Sequence, residues 1–220
     1  MTWENLIDIP GLGEYAVNQL NNGTFTGIKK KIKEVSDLTA TDIKMLPYEA
    51  KMSLQYLDGN KYTRAEIESV MNDFFENWCK KYCSKYIIAG SYRRGEEMTG
   101  DLDLVVIPKG NPILKETDNL IIIRNGKNKT KLFIKVASNN RYVPVDIIYT
   151  NEKHWPAALL YFTGSMQFNI YMRKTAKEKK WRLNEYGLFD NKGKMFNLRT
   201  EEAIMRKVLG KVYTLKERSK

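Results

Sequence analysis

An α+β fold, with helices on either side of a central sheet, is what this sequence predicts, and three observations carry that reading. Apolar residues recur in steps of three and four as far as residue 82, then give way after Cys83 to short β-branched runs. Five such runs follow in succession, each bounded by Gly, Asn or Pro. From Trp155 helical spacing returns. The 220 residues can bury a core without a partner, and 42% apolar with 29% charged residues is ordinary for a globular chain.

The elements follow in order. "IPGLGEYAVNQL" sets Pro10, Gly11 and Gly13 ahead of a segment with Ala16, Val17 and Leu20 on one face, a hairpin entering a helix. Short helices are expected at "GIKKKIKEV" and "TATDIKMLPYEAKMSLQYL", the latter capped by Thr41 or Asp42. Thr63 and Glu66 form a capping box before a stripe of Ile67, Val70, Met71, Phe74, Phe75, Trp78 and Tyr82, read as core. "KYIIAG", "DLDLVVI", "NLIIIR", "KLFIKVA" and "YVPVDIIY" should build one sheet, with "RNGKNKTK" as a basic hairpin tip. Helices are expected again at "WPAALLYF" and "SMQFNIYMRKTAKEKK". Short strands follow around "WRLNEYGLFDNKGKMFN", then a helix capped by Thr200.

Charge narrows the function. With 37 Lys and Arg against 26 Asp and Glu the chain carries +11. The balance is −1 over residues 1–62, +3 over 63–150 and +9 over 151–220. A basic C-terminal third reads as a surface that neutralises phosphates. Cys79 and Cys83 lack the second pair a zinc site needs and are read as reduced packing residues. The N-terminus has neither a basic start nor an apolar run, and no stretch approaches the ~18 apolar residues of a membrane span. The expectation is a soluble, intracellular protein, whether nuclear, cytoplasmic or in a viral compartment, with no membrane partner. His154 is read as a loop residue beside Trp155 without a role.

The chemistry concentrates in "GSYRRGEEMTGDLDLVV". Strand residues i and i+2 share a face, so Asp101 and Asp103 project together while Leu102 and Leu104 enter the core. Carboxylates that close repel one another unless cations neutralise them, and oxygen ligands suit Mg²⁺. Asp146, in "VPVDIIY", can pair beside the first strand and complete a three-acid site for two ions, suited to phosphoryl or nucleotidyl transfer. The preceding loop supplies Gly90 and Ser91, where backbone amides can approach an anion, and Arg93 and Arg94 as charge-assisted donors. A triphosphate fits that description.

"GSYRRGEEMTGDLD" resembles the nucleotidyltransferase motif of the family X DNA polymerases, the group of DNA polymerase beta. "YFTGSMQFNIYMR" is similar to that family's nucleotide-selecting segment, "LNEYGLF" to the strand region that follows it, and "IPGLGEYAVNQL" to its helix-hairpin-helix. These blocks keep family order across nearly the whole chain.

The resemblance implies an N-terminal helical helix-hairpin-helix DNA-binding domain over 1–84, a nucleotidyltransferase palm with a mixed sheet over 85–152, and a small α+β nucleotide-selection domain over 153–220. It implies that Asp101, Asp103 and Asp146 bind two Mg²⁺, for which Mn²⁺ can substitute, Asp146 also accepting the primer hydroxyl proton. Gly90, Ser91, Arg94 and Gly100 would hold the triphosphate. Tyr161 and Phe162 would lie against the incoming sugar, and Gly164 with Ser165 matches a pair the family joins by a cis peptide. Asn169 would meet the base, Arg173 the template, and Glu185 would position that arginine. Amides of Gly11, Gly13 and Ala16 would meet a DNA phosphate, while carbonyls of Ile7, Ile9 and Leu12 could hold Na⁺ or K⁺.

The chain also departs from the family. Met166 stands where the beta-type enzyme has an acid, Pro144 where an arginine is often found, and the loop from Lys109 to Asn119 is short. The N-terminal lyase domain is expected to be absent. The function read from the sequence is a repair-type, template-directed DNA polymerase, working as a monomer on primer-template or gapped DNA with deoxynucleoside triphosphates and releasing pyrophosphate. A template-independent terminal transferase and a catalytically silent DNA-binding module are the alternatives.

Overall fold

The computed structural model describes residues 3 and 5–219, so of the three expected domains only residues 1, 2, 4 and 220 lie outside it. A single 3₁₀ turn, Leu6–Asp8, leads through the hairpin into α1 (Glu14–Asn22). No helix forms over the expected "GIKKKIKEV". Gly27 has φ +87°, and the amide of Ile32 donates to the carbonyl of Leu20 at 2.9 Å, pairing with the end of α1 instead of a turn of its own. Ile28 and Ile32 are nevertheless buried. After a 3₁₀ turn at Val35–Asp37 come α2 (Ala40–Met45) and α3 (Tyr48–Tyr56), split by Pro47. The α2 cap is Thr39, boxed with Asp42, and not Thr41.

The central unit opens with β1 (Tyr62–Thr63) and α4 (Arg64–Val70), where the Thr63–Glu66 capping box forms as read. A π turn, Met71–Phe75, joins α4 to α5 (Glu76–Tyr82). Then come β2 (Cys83–Ile88), α6 (Gly90–Arg93), β3 (Met98–Thr99), β4 (Leu102–Pro108), β5 (Leu120–Asn125), β6 (Lys129–Lys135) and β7 (Tyr142–Tyr149). All five expected runs form one sheet of order β2-β4-β7-β6-β5, mixed because β4 and β7 run parallel. Ile67, Val70, Phe75 and Cys79 pack with Leu102, Leu104, Val145 and Ile147 in one core, whereas Leu6 to Ala50 make another. Residues 62–83 therefore pack with the sheet, although the sequence reading put them in the N-terminal domain, because their apolar stripe is the cover for its buried face. Both cysteines are free and buried.

Two polar ties hold the N-terminal helices to the sheet. Arg141 bonds Asp58 at 2.7 Å and Glu66 at 2.6 Å, and Lys131 pairs with Glu49 of α3 at 2.5 Å. The C-terminal unit contains α7 (Trp155–Thr163), α8 (Met166–Glu178), the β8–β9 hairpin (Arg182–Asn184 with Gly187–Phe189) and α9 (Glu201–Leu209), whose cap is Thr200 as expected. Its core is Leu160, Phe168, Met172, Leu188, Ile204 and Met205. Among the described residues no helix is long and apolar enough to cross a membrane.

Candidate active site

Parallel pairing of β4 with β7 sets Asp103 directly beside Asp146. One strand further, Lys131 lies opposite Asp146, and beyond it Arg124 of β5 lies opposite Lys131. The register thus makes a cross-strand row of two acids followed by two bases. Asp101, at the mouth of β4, brings the third carboxylate, and one oxygen from each of the three lies within 4.8 Å of the others. The backbone of Asp101 is fixed by Thr99, whose hydroxyl donates to the Asp101 carbonyl at 2.8 Å; β3 in turn is held by pairing with β1.

These acids are poorly satisfied by the chain. Burial and the neighbouring Asp101 and Asp146 push the Asp103 carboxyl up to about 8, and burial with Asp146 raises Asp101. Lys129 pairs with Asp146 Oδ2 at 2.5 Å, but Asp146 Oδ1 is buried without a hydrogen-bond partner. A buried, unpartnered carboxylate oxygen beside two crowded carboxylates fits a divalent cation, which would neutralise all three.

The loop before β4 is built around Asp103. A Cβ on Gly90 would sit 2.5 Å from Asp103 Oδ2, and Gly90 has φ +59°, so only glycine fits. The Ala89 amide donates to the Asp103 carbonyl at 2.7 Å. Gly100, in contrast, has open space where a Cβ would stand. The Ser91 hydroxyl shares a hydrogen bond with Thr99 at 2.5 Å, and Arg94 Nη1 donates to the Thr163 carbonyl at 2.7 Å. Arg93 does not serve as the free anion donor the sequence suggested. Its guanidinium makes a two-pronged pair with Glu201 at 2.6 and 3.0 Å and donates to the Thr163 hydroxyl.

Across a cleft of about 480 Å³ from Asp101, Asp103, Gly90, Ser91 and Arg94 stand Tyr161, Phe162, Gly164, Asn169 and Arg173. The Tyr161 and Phe162 rings meet edge-on at 5.1 Å. The Asn169 amide donates to the Tyr161 carbonyl at 2.7 Å, and the Gly164–Ser165 peptide is cis. Met166, Ile170 and Arg173 present the exposed side of α8 to this cleft. Asp146 does not line it; it sits one strand behind, toward the basic hairpin. Thus the structure brings together the acids, the loop and the α7–α8 turn.

The N-terminal hairpin lies apart from this cleft. Gly11 has φ +94° and a Cβ there would meet the Ala50 amide at 2.6 Å, so glycine lets α3 approach. Gly13 is the N-cap of α1, and Ala16 lies in its first turn, where amides have no intrahelical acceptor. Ile9 and Leu12 are buried and Ile7 is exposed; the Ile9 carbonyl accepts the Leu12 amide at 3.0 Å. His154 precedes α7 with its ring edge-on to Tyr186 at 5.6 Å.

Several residues the sequence reading passed over matter here. Lys129 and Lys131 belong to the stretch read as a basic hairpin tip, yet both lie on β6, the strand paired with β7 beside Asp146. Glu201 and Arg218 could not have been found: Glu201 joins Arg93 from 108 positions away.

Residues 61–141 match the family model described as DNA polymerase beta palm, and residues 158–213 match DNA polymerase beta thumb. The chain is 35% identical over 144 residues to Repair DNA polymerase X of African swine fever virus, covering 61% of this chain and 82% of that protein. It is 33% identical to DNA polymerase/3′-5′ exonuclease PolX of Bacillus subtilis, over 56% of this chain and 21% of that one. A third relative is DNA polymerase lambda of Rattus norvegicus, 33% identical over 46% of this chain and 21% of its own length.

Proposed function

The chain belongs to the family X DNA polymerases and is a repair DNA polymerase, and from that premise we propose that it fills short gaps by template-directed, two-metal nucleotidyl transfer. In this reading Asp101, Asp103 and Asp146 hold two Mg²⁺ ions, with Mn²⁺ able to substitute. When bound, the ions supply charge neutralisation for the triphosphate and acidify the primer hydroxyl. The observation that carries the proposal is the convergence of three carboxylates within 4.8 Å, one with a buried oxygen left unpartnered, beside the GSYRR loop.

The chain's own residues then position the reactants. Asp146 takes the 3′-hydroxyl proton as the new P–O bond forms and the bond to pyrophosphate breaks. Ser91, Arg94 and Gly100, with the close backbone approach Gly90 permits, bind the triphosphate. Tyr161 and Phe162 pack on the sugar and exclude a 2′-hydroxyl, Gly164 lets the backbone come close, and Asn169 meets the base edge. Arg173 contacts the template, with Glu185 orienting it. Catalysis is mainly positioning and electrostatics.

The hairpin amides of Gly11, Gly13 and Ala16 bind a phosphate, helped by Na⁺ or K⁺ on the carbonyls of Ile7, Ile9 and Leu12, which makes residues before about Asn60 a helix-hairpin-helix DNA-binding unit. The sheet unit through Thr150 acts as the palm, and the unit from Trp155 selects nucleotides; the protein works as a monomer.

The test is extension of labelled recessed, gapped and blunt primers with Mg²⁺ and all four deoxynucleotides. Mg²⁺-dependent, templated addition that is greatest on gaps is expected, and Asp101→Ala should bind DNA but not extend it. Equal, untemplated addition to blunt ends would point instead to a terminal transferase. Normal extension by Asp101→Ala would remove the metal assignment.

A further inference from the structure

The row across the sheet, two acids followed by two bases, leaves Asp146 with one cation of its own. Lys131 stands directly opposite Asp146, yet its ammonium is turned to Glu49 of α3 at 2.5 Å. Asp146 Oδ2 is taken instead by Lys129, from two residues earlier on β6, at 2.5 Å. The Lys129 side chain is 46% exposed while that of Asp146 is 11% exposed. One partner is therefore free to leave into water, and the other is not. Around Lys129 a cleft of about 440 Å³ is lined by Arg124, Lys127, Lys131 and Glu49, a strongly cationic wall.

We infer that Lys129 is a tethered counter-cation, which occupies the Asp146 carboxylate in the metal-free protein and is displaced when a divalent ion arrives. This rests on reading the three acids as metal ligands. An ammonium brings one charge to one of the three carboxylates; a divalent ion brings two and can touch all three. Displacement is then favourable but incomplete in the absence of other ligands, because the ion must win Asp146 from an intramolecular competitor that is always present. The released ammonium faces the cationic cleft, where a nucleic-acid phosphate would be its new partner. Metal occupancy at Asp146 is in this way tied to arrival of the strand.

The probe is Mn²⁺ alone, titrated by electron paramagnetic resonance into the full chain without DNA or nucleotide, for the wild type and for Lys129→Gln, Lys127→Gln and Asp146→Asn. Lys129→Gln should bind Mn²⁺ about 10-fold more tightly, as expected for loss of a group that competes at a ligand. Lys127→Gln removes the same charge from the hairpin tip without touching Asp146 and should shift affinity by less than about 2-fold. A second measurement reads the lysine itself: in the wild type, Mg²⁺ should raise the acylation rate of Lys129, and Asp146→Asn should raise it without metal. Equal Mn²⁺ affinity of the wild type and Lys129→Gln, at a site that Asp146→Asn weakens, overturns the competition and leaves the metal reading intact. Equal tightening by Lys127→Gln and Lys129→Gln also overturns it, reducing the effect to net charge. Failure of all four proteins to bind Mn²⁺ overturns both.

Discussion

Two clusters of charge in this chain, one buried and one half-buried, are finished in opposite ways. Glu201 is gripped by Arg93 at 2.6 and 3.0 Å and by Arg218 at 2.8 Å, and both of its oxygens are used. Around Asp101, Asp103 and Asp146, among the described residues, a single ion pair from Lys129 reaches the three carboxylates, and Asp146 Oδ1 has no partner at all. Buried charge is tolerated when it is paired. The first cluster is closed by the chain and joins the loop of residues 90–94 to the C-terminal unit. The second is left open by the chain, and it is the cluster we propose as the catalytic centre.

The sharpest way to break this comparison is to neutralise one acid. Asp103→Asn should lower single-turnover primer extension by at least about 10³-fold, the scale of losing a group that acts in the transition state. The same variant should unfold at higher temperature than the wild type near neutral pH when no divalent ion is present, because an asparagine need not take up a proton on folding as Asp103 does. Retained extension, or a lower unfolding temperature, would break the contrast. Glu201→Gln should do the reverse. It strands two guanidinium groups and should cost about 3 kcal/mol or more in urea unfolding; a neutral result would mean that the closed cluster is dispensable.

The pH dependence separates the clusters further. Asp103 has an ordinary carboxyl value of 3.8 and is pushed up to about 8 on folding. Between those values the folded protein holds the proton and the unfolded chain does not. Its contribution to stability is therefore full below about pH 4 and is lost as pH rises toward 8, with a slope of at most about 1.4 kcal/mol per pH unit. Metal-free wild type followed by chemical denaturation should show this fall and Asp103→Asn should not. A flat profile in both would contradict the crowding of the acids. The smallest effect belongs to the cleft wall: Tyr161→Ala should raise ribonucleotide over deoxynucleotide use by about 10-fold, the scale of a steric pocket contact. Unchanged discrimination in competitive incorporation would remove Tyr161 from sugar selection.

What could be read in the sequence follows the range of the forces involved. The five strands were legible because each is a short β-branched run with its own boundaries, and β7 appears over the same residues as "YVPVDIIY". That Asp146 can stand beside the other acids was legible as a pairing its run allows; the order of the five strands is set by the whole sheet, and the family resemblance supplied that choice. The helix expected at "GIKKKIKEV" fails because Ile28 and Ile32 satisfy helical spacing while their burial is achieved by an irregular path bonded to α1. The cap at Thr39 was present as a Thr-x-x-Asp box but competed with Thr41 in the same tetrapeptide. Nothing local could announce Arg93–Glu201, whose partners meet only once the C-terminal unit has folded against α6.

The most direct test of the central claim is an anomalous-scattering map from crystals grown with Mn²⁺ and a non-hydrolysable deoxynucleoside triphosphate on primer-template DNA. Two peaks within about 2.6 Å of carboxylate oxygens, both touching Asp101 and Asp103 and one also touching Asp146, are expected. A bound triphosphate with no peak at these three side chains would contradict the account.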